Sequence, residues 1–478
     1  MNRKKSYLAI IFFTALCTGS IAAQTNNHIQ LYTENPRYWQ YQDNPVLLIG
    51  GSDDDNLFQW TGSTLADHLD QLVAVGGNYV RNTMSDRDEQ GDAYAFRQLP
   101  SGLYDLNQWN DEYFNRLANF LQQTASRDIL VQIEIWDEWD FQTSAYERSP
   151  WNPQNNISYR LAETIMPATH NPNRDVADHQ FFKTIPQLHD DKIVLGYQQA
   201  FIEKVLSITF QFDHVLYTIM NESRADRVWS YYWADYLRTL AADAGHAIYI
   251  APMRGDPGDT VEEVLQHPDR FDFADISQSA KWANQAHADV IIEQWNRLSE
   301  MPRPLNSTKQ YGAYIKRSWV PEFEDEGLSR LWRAIFCGQA SVRHHRPEAG
   351  LGLDSIAQNN IKALRTITEM LVPWQCQPHQ QAVNLLKDRQ EDEVYIMADP
   401  GRVYGLYFPG EGFTVNDERV PGDGVISLDI SHIKGEVRVR WFDIEAHRWL
   451  EPEHVQSNGT IPLNTPDNGH WLALVSLR

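Results

Sequence analysis

Residues 197–242 read YQQAFIEKVLSITFQFDHVLYTIMNESRADRVWSYYWADYLRTLAA. The two flanks, 197–208 and 229–242, repeat apolar residues at helical spacing, and the middle, HVLYTIMNE at 214–222, is a β-rich run. A strand held between two amphipathic helices is the repeating unit of an α/β fold. The unit recurs outward in both directions. Before it come β-rich runs at 46–51 (VLLIGG), 78–84 (NYVRNTM) and 129–136 (ILVQIEIW). After it come 247–252 (AIYIAP), 273–278 (FADISQ), 304–311 (PLNSTKQY) and 341–346 (SVRHHR). Further amphipathic stretches lie at 65–75, 109–124, 286–298, 328–338 and 356–370. Eight strands alternating with helices predict a (β/α)8 TIM barrel. A doubly wound sheet ranks second, because no Gly-rich phosphate-binding turn follows the first strand.

Ahead of the first strand, residues 28–41 read as a hairpin that covers the barrel bottom. Beyond Met370 the pattern changes to short alternating strands with Gly, Pro and Asp turns, at 393–397, 403–408, 424–430, 436–442, 460–463 and 471–477. That predicts a small β-sandwich. Its Trp374, Trp441, Trp449 and Trp471 suit glycan binding or simple buttressing. The first residues form an export signal: Arg3, Lys4 and Lys5, then an apolar run from Tyr7 to Cys17, then the small residues around Ala22-Ala23. The expected organisation is a signal peptide at 1–23, a catalytic barrel at 24–372 and a sandwich at 373–478, in a secreted or periplasmic protein. No other apolar run is long enough to cross a membrane.

Composition narrows the partners. The chain has 478 residues, 42% hydrophobic and 12% aromatic, with 16 Trp, which excludes a disordered or coiled-coil protein. A net charge of −23 argues against nucleic acid, whose phosphates need a basic face. Cys337 and Cys376, beyond the leader, allow one disulfide or two buried thiols and cannot build a zinc site alone. No cofactor is called for, and the oligomeric state is not encoded in any pattern.

In this architecture the reacting groups sit at the C-terminal ends of the strands. The fourth ends in Met220-Asn221-Glu222. The opening carries Asn35-Pro36-Arg37-Tyr38 and then 45–51, and the tail carries 404–410 (YGLYFPG) and 440–443 (RWFD). On these motifs the chain resembles secreted (β/α)8 glycoside hydrolases of the Asn-Glu fourth-strand group, of the apiosidase-like sort, with a collagen-binding-like sandwich behind the barrel. The resemblance implies that Glu222 is the general acid and that Asn221 binds a sugar hydroxyl. It also implies a nucleophilic carboxylate at the seventh strand end, where this chain has Leu305-Asn306-Ser307-Thr308-Lys309-Gln310-Tyr311 and no carboxylate. A lysine cannot form the glycosyl ester of a retaining mechanism, so an inverting one is the simplest alternative.

Strand alternation ranks the second carboxylate. With Val131, Ile133 and Ile135 facing the helices, Gln132, Glu134 and Trp136 point into the barrel mouth. Glu134 is the first choice, for catalysis, binding or a salt bridge. Asp275 on the sixth strand is the second. Asp137, Glu138 and Asp140, on the following loop, are lesser candidates or a solvated acidic loop, and Glu322 and Glu324 are remote candidates. Asp53 and Asp54 suit sugar hydroxyls, and the run 53–56 lacks the spacing of a calcium loop. Positive groups collect at the same rim: Arg81, Lys309, Arg343, His344, His345 and Arg346. They fit a carboxylate or sulfate on the sugar, or they pair with the acids just named.

The expected activity is therefore hydrolysis of an extracellular, acidic or otherwise unusual polysaccharide or oligosaccharide. The expected substrate contacts are Asn221, Asp53, Asp54, Arg81, Trp136, Lys309, Tyr311, Arg343 and His344. Two alternatives stand beside it. One is a polysaccharide lyase acting on a uronate with Lys309, Tyr311 or His344 as base. The other is an inactive barrel that binds glycans.

Overall fold

The computed structural model describes residues 28–477 apart from 86–90, 172–174, 176–177, 313–323, 379–384, 388, 411–412, 416–417, 421–425, 432 and 434. The proposed leader at 1–23 and Glu322 lie outside the described residues. Eight parallel strands run in chain order: β1 (Leu48–Gly51), β2 (Tyr79–Thr83), β3 (Leu130–Asp137), β4 (Val215–Asn221), β5 (Ile250–Ala251), β6 (Ala274–Asp275), β7 (Leu305–Asn306) and β8 (Ser341–His344). Hydrogen-bonded ladders join β5-β4-β3-β2-β1-β8, and β6 pairs with β7. Backbone bonds close both seams. Asp272 N reaches Ile250 O at 2.8 Å between β5 and β6, and Ala340 N reaches Leu305 O at 2.8 Å between β7 and β8. The sheet is a barrel, not a doubly wound sheet.

β7 is shorter than the expected 304–311. Past Asn306 hydroxyls interrupt the ladder, Ser307 N donating to Ser341 Oγ at 2.9 Å and Thr308 N to Ser277 Oγ at 2.8 Å, before Gln310 pairs again with His344 of β8. That bridge fixes the backbone between Lys309 and Tyr311 at the mouth.

Each strand is followed by a helix: α1 (Thr64–Ala74), α2 (Asp111–Ala125), α3 (Lys192–Thr209), α4 (Arg227–Ala244), α5 (Pro257–Gln266), α6 (Asn284–Arg297), α7 (Glu324–Phe336) and α8 (Ser355–Thr368). α5 is not expected from the sequence. Its ten residues bury Val261 and Val264, a thin apolar stripe, but its start is well marked. Asp256 caps it by accepting from Gly258 N and Asp259 N, and Pro257 sits in the first turn.

The segment between β3 and α3 holds a short helix, Trp139–Gln142, and an aromatic cluster. Trp136 belongs to that cluster. Its ring lies 5.3–6.4 Å from those of Trp151, Phe181, Phe201, Trp229 and Trp233. The expectation that Trp136 faces the mouth is thus corrected. Alternation holds through Glu134, but the large apolar indole gains more by burial among rings, and Asp137 turns inward instead.

Below the barrel, the expected hairpin is a three-stranded sheet of Gln30–Leu31, Trp39–Tyr41 and Asn44–Val46. Trp39 plugs the bottom, edge-on to Tyr249 and Phe273, with Nε1 donating to Asn306 Oδ1 at 3.0 Å. The C-terminal residues form antiparallel sheets. In the larger one, Tyr395–Asp399, Val403–Phe408, Trp471–Leu477 and Gly435–Asp443 lie side by side; the smaller joins Leu386–Lys387, Ile426–Asp429 and Thr460–Leu463. Alternation divides the larger sheet. Ile396, Leu406, Val439 and Val475 pack with Leu428 and Ile461 inside the sandwich. Tyr395, Met397, Tyr407 and Leu472 on the other face join the core of the barrel. The ring of Tyr407 stacks on Trp332 of α7. Cys337 and Cys376 are buried free thiols, which decides between the two expectations for them. Among the described residues no helix is long and apolar enough to cross a membrane.

Candidate active site

A cavity of about 410 Å³ opens at the C-terminal ends of the strands. Asp55, Arg81, Asp137, Glu138, Trp139, Asn221, Glu222, Arg224, Gly255, Lys281, Lys309, Tyr311, His345 and Arg346 line it. Asn221 is the last residue of β4, and Glu222 leaves the strand with φ at 45°. That left-handed backbone is costly for a glutamate, and such conformations gather where a side chain must be aimed. Here it carries the carboxylate into the cavity, with the side chain 32% exposed.

Glu222 is gripped from the seventh strand end. The Lys309 ammonium, 1% exposed, donates to Glu222 Oε1 and also to Asn221 Oδ1, at 2.5 Å. Tyr311 OH donates to the same Glu222 oxygen at 3.3 Å, and Lys281 Nζ lies 3.9 Å from Oε2. Burial pushes the Glu222 pKa up. The charge and hydrogen bond of Lys309, with Lys281 and Arg81, outweigh it and bring the pKa down to about 2. The pair with Lys309 thus favours the ionised form of Glu222.

The two other carboxylates ranked for chemistry, Glu134 and Asp275, lie inside the barrel, fully buried, and neither lines the cavity. Arg81 holds Glu134 through two parallel bonds of 2.7 and 2.6 Å, and its third nitrogen is 2.8 Å from Asp55. Taken alone, burial would lower the Arg81 pKa; Asp55 and Glu134 more than compensate and hold it charged. Asp275 accepts from Ser277 N at 2.9 Å, from Ser277 Oγ, from Gln132 Nε2 at 2.6 Å and from Thr308 Oγ1 at 3.3 Å. Both carboxylates brace the barrel below the cavity. Arg343 is buried beside them, donating to Ser52 Oγ and Thr308 O.

Three other expected contacts lie away from the cavity. Asp53 Oδ1 accepts from Leu353 N at 2.7 Å. Asp54 closes its own turn, accepting from Asp55 N, Asn56 N and Trp60 Nε1. Of the acidic run, Asp55 reaches the cavity. His344 is wholly buried and lies 3.4 Å from Asn360 Nδ2 of α8; burial and Arg343 press its pKa down to about 3. Its neighbour His345 takes the cavity wall.

Residues that the sequence pattern does not single out also reach the site. Asp137, Glu138 and Asp140 are buried, not a solvated loop. Asp137 accepts from Asn221 Nδ2 at 3.1 Å and from Trp139 N at 3.0 Å, Glu138 from Arg224, and Asp140 from Ser85. Arg224 stands two residues after Glu222, so its place at a strand end is legible in the sequence. Lys281, in a 3-10 turn after β6, has no such signal.

Removing the clamp has a direct readout. In Lys309→Met, burial acts on Glu222 with Lys281 and Arg81 left to oppose it, so the carboxyl pKa rises from about 2. Because the folded pKa lies below the unfolded one, the pair stabilises above about pH 4.3 and that contribution is lost as pH falls toward 2. Discounted for the open side of Glu222, it is on the order of 1–2 kcal/mol. Chemical denaturation of both proteins between pH 2 and pH 7 should show a flatter acid limb in the variant. Parallel acid limbs would show that Lys309 does not hold Glu222.

The fold and cavity define the class: a (β/α)8 barrel with charged groups at its C-terminal mouth, followed by a β-sandwich. No family model matches the chain, and no curated protein matches it in sequence. Solved structures do share its fold. One is a glycoside hydrolase family 5 protein of Bacteroides vulgatus ATCC 8482, with a TM-score of 0.64 and 11% identity over 94% of this chain and 93% of its own. Another, described as a glycoside hydrolase, has a TM-score of 0.63 and 12% identity over 94% of this chain and 97% of its own.

Proposed function

We propose that the protein is a glycoside hydrolase of the apiosidase-like sort. On this reading it is exported after loss of residues 1–23 and works through a catalytic barrel at 24–372, with the sandwich at 373–478 supporting the barrel or binding glycan. The observation that carries the reading is Glu222, an aimed and ionised carboxylate at the fourth strand end, open to a sugar-sized cavity. Lys309 stands where a retaining enzyme of this group would have its nucleophile, so the mechanism is inversion by water. Arg224, Lys281 and Arg346 line the same cavity, 47%, 38% and 23% exposed, in a chain of net charge −23. That local concentration of cations suits an extracellular glycan bearing carboxylate or sulfate groups.

The lyase reading is weaker. Of its three bases, His344 lies off the cavity, Lys309 is engaged by Glu222 and Asn221, and burial with the Glu222 charge pushes the Tyr311 phenol well up. The test is incubation with uronate-containing oligosaccharides, followed by proton NMR of the first anomer released. Inverted configuration is expected. Ultraviolet absorbance from an unsaturated uronate would make the protein a lyase, and binding without turnover would make it an inactive glycan-binding barrel.

A further inference from the structure

Where β3 runs into the short helix Trp139–Gln142, the order Asp137-Glu138-Trp139-Asp140 reverses the ordinary partition between core and surface. Its three carboxylates are at most 8% exposed, and the indole among them is 46% exposed. Burying a charge and leaving a large apolar ring in water are both unfavourable, and a segment that does both calls for a compensating role. Trp136, three residues earlier, shows the usual outcome, packed against five other rings. Trp139 pairs with no ring among the described residues, and it lines the cavity that Glu222 enters.

The exposure is not that of a loosely held loop, because the backbone is fastened on each side of the indole. Trp139 N donates to Asp137 Oδ1 at 3.0 Å, and that carboxylate also accepts from Asn221 Nδ2 at 3.1 Å. Glu138 accepts from Arg224, and Asp140 from Ser85 Oγ. Phe141 N donates to Glu138 O at 3.0 Å, and the Phe141 ring stacks on Phe181 with centroids 4.1 Å apart. The buried acids are the fastening, and the indole is what they hold in place. Through Asp137 and Asn221 the same fastening reaches the end of β4, from which Glu222 departs.

We propose that Trp139 is a sugar-stacking platform, the surface on which the C–H face of a bound sugar ring lies. The ligand class follows from the rest of the lining. Glu222, Arg224, Lys281 and Arg346 are charged and partly open to the cavity. A wholly apolar ligand would strand them, and a small inorganic anion would leave the indole bare. A sugar ring meets both demands, with C–H bonds on its face and hydroxyls or a carboxylate at its edge. A cavity of about 410 Å³ has small-ligand size, so the ring on Trp139 is the one that Glu222 faces or its neighbour. A platform already in place needs no ordering when the sugar arrives, and it acts on affinity and placement, with no part in proton transfer. The assignment rests on the glycan reading above and names the residue that tells a sugar from a simple anion.

The test is titration calorimetry of the full chain with trisaccharides of galacturonate, glucuronate and mannuronate, and initial rates on any that is cleaved. Trp139→Ala should weaken binding by about 10- to 100-fold, and Trp139→Phe, which keeps a smaller face, by less. Trp139→Leu keeps apolar bulk without a flat face and should lose nearly as much as Trp139→Ala. KM should rise with kcat little changed. The loss should be the same at low and high salt, because no charge is removed, whereas the loss in Arg224→Ala should shrink as salt rises. The Trp139 variants should unfold close to the wild-type temperature, since the ring is half in solvent. Unchanged binding in Trp139→Ala would overturn the proposal. So would a loss that disappears at high salt, which would place the effect in the Glu138–Arg224 pair, and so would wild-type affinity in Trp139→Leu. A wild-type protein that binds the trisaccharides without cleaving any would end the hydrolase reading, and the same titrations would still decide the platform. One that binds none of them would overturn both.

Discussion

Glu222→Gln should lower turnover by about 10²- to 10⁴-fold, and by the same factor on phenyl and dinitrophenyl glycosides. Equality is the informative part. A carboxylate that steadies the charge on the sugar ring and takes the proton of water is needed whatever the leaving group, whereas a proton donor is needed most by the poor one. The substitution also leaves Lys309, 1% exposed, without its anion. Breaking a fully buried pair costs about 3–5 kcal/mol, but Asn221 still accepts from Lys309 and water enters from the cavity side, so on the order of 1–3 kcal/mol is expected. The double variant Glu222→Gln, Lys309→Met should regain stability without regaining activity, which separates the chemical from the structural role. A loss confined to the phenyl substrate would return Glu222 to the acid role that its strand position first suggested. No loss on either would move the chemistry out of this cavity.

The barrel was legible because its strands and most of its helices repeat clear apolar periods. α5 was not, since ten residues with two buried valines leave little period, although its Asp-Pro start carried a capping signal. Alternation also placed Gln132 and Glu134 correctly inside β3. What alternation lacks is depth. It cannot tell a carboxylate at the mouth from one lower in the barrel, and Glu134, gripped by Arg81, and Asp275, held by Ser277, Gln132 and Thr308, are the latter. It fails where a strand ends, as at Trp136, because tertiary packing then chooses which side chain turns in. Loop positions carry still less. Glu138 lies in an acidic run that on composition alone belongs in solvent, and Lys281 stands in no pattern. Both reach the cavity through contacts of distant segments. Lys309 was legible only as a departure, a base where a carboxylate was expected, and its consequence for Glu222 needed the geometry.

Arg81→Met should destabilise the fold by about 3–5 kcal/mol near neutral pH, the largest stability effect expected of one substitution here. Arg81, Glu134 and Asp55 are each at most 2% exposed, so none can exchange its partner for water. Asp55 keeps Arg343, His345 and Arg346 within 3.5 Å, but Glu134 loses both of its short bonds. It will then escape by taking up a proton, because burial already pushes its pKa upward. The sign of the pH dependence follows. A carboxyl whose folded pKa stands above its unfolded value of about 4.3 costs nothing while both states are protonated, and costs more as pH rises through the folded value. The stability gap between wild type and Arg81→Met should therefore be small near pH 4 and widen toward pH 8 in urea titrations. Arg81→Met, Glu134→Met replaces the pair with apolar side chains and should recover most of the loss, since buried ion pairs contribute little net stability over well-packed hydrophobes. A gap that stays constant with pH would mean that Glu134 is not the stranded group. A double variant less stable than the single one would mean that β2 and β3 need the charges themselves, to fix the height at which Asp137 and Glu138 meet the cavity.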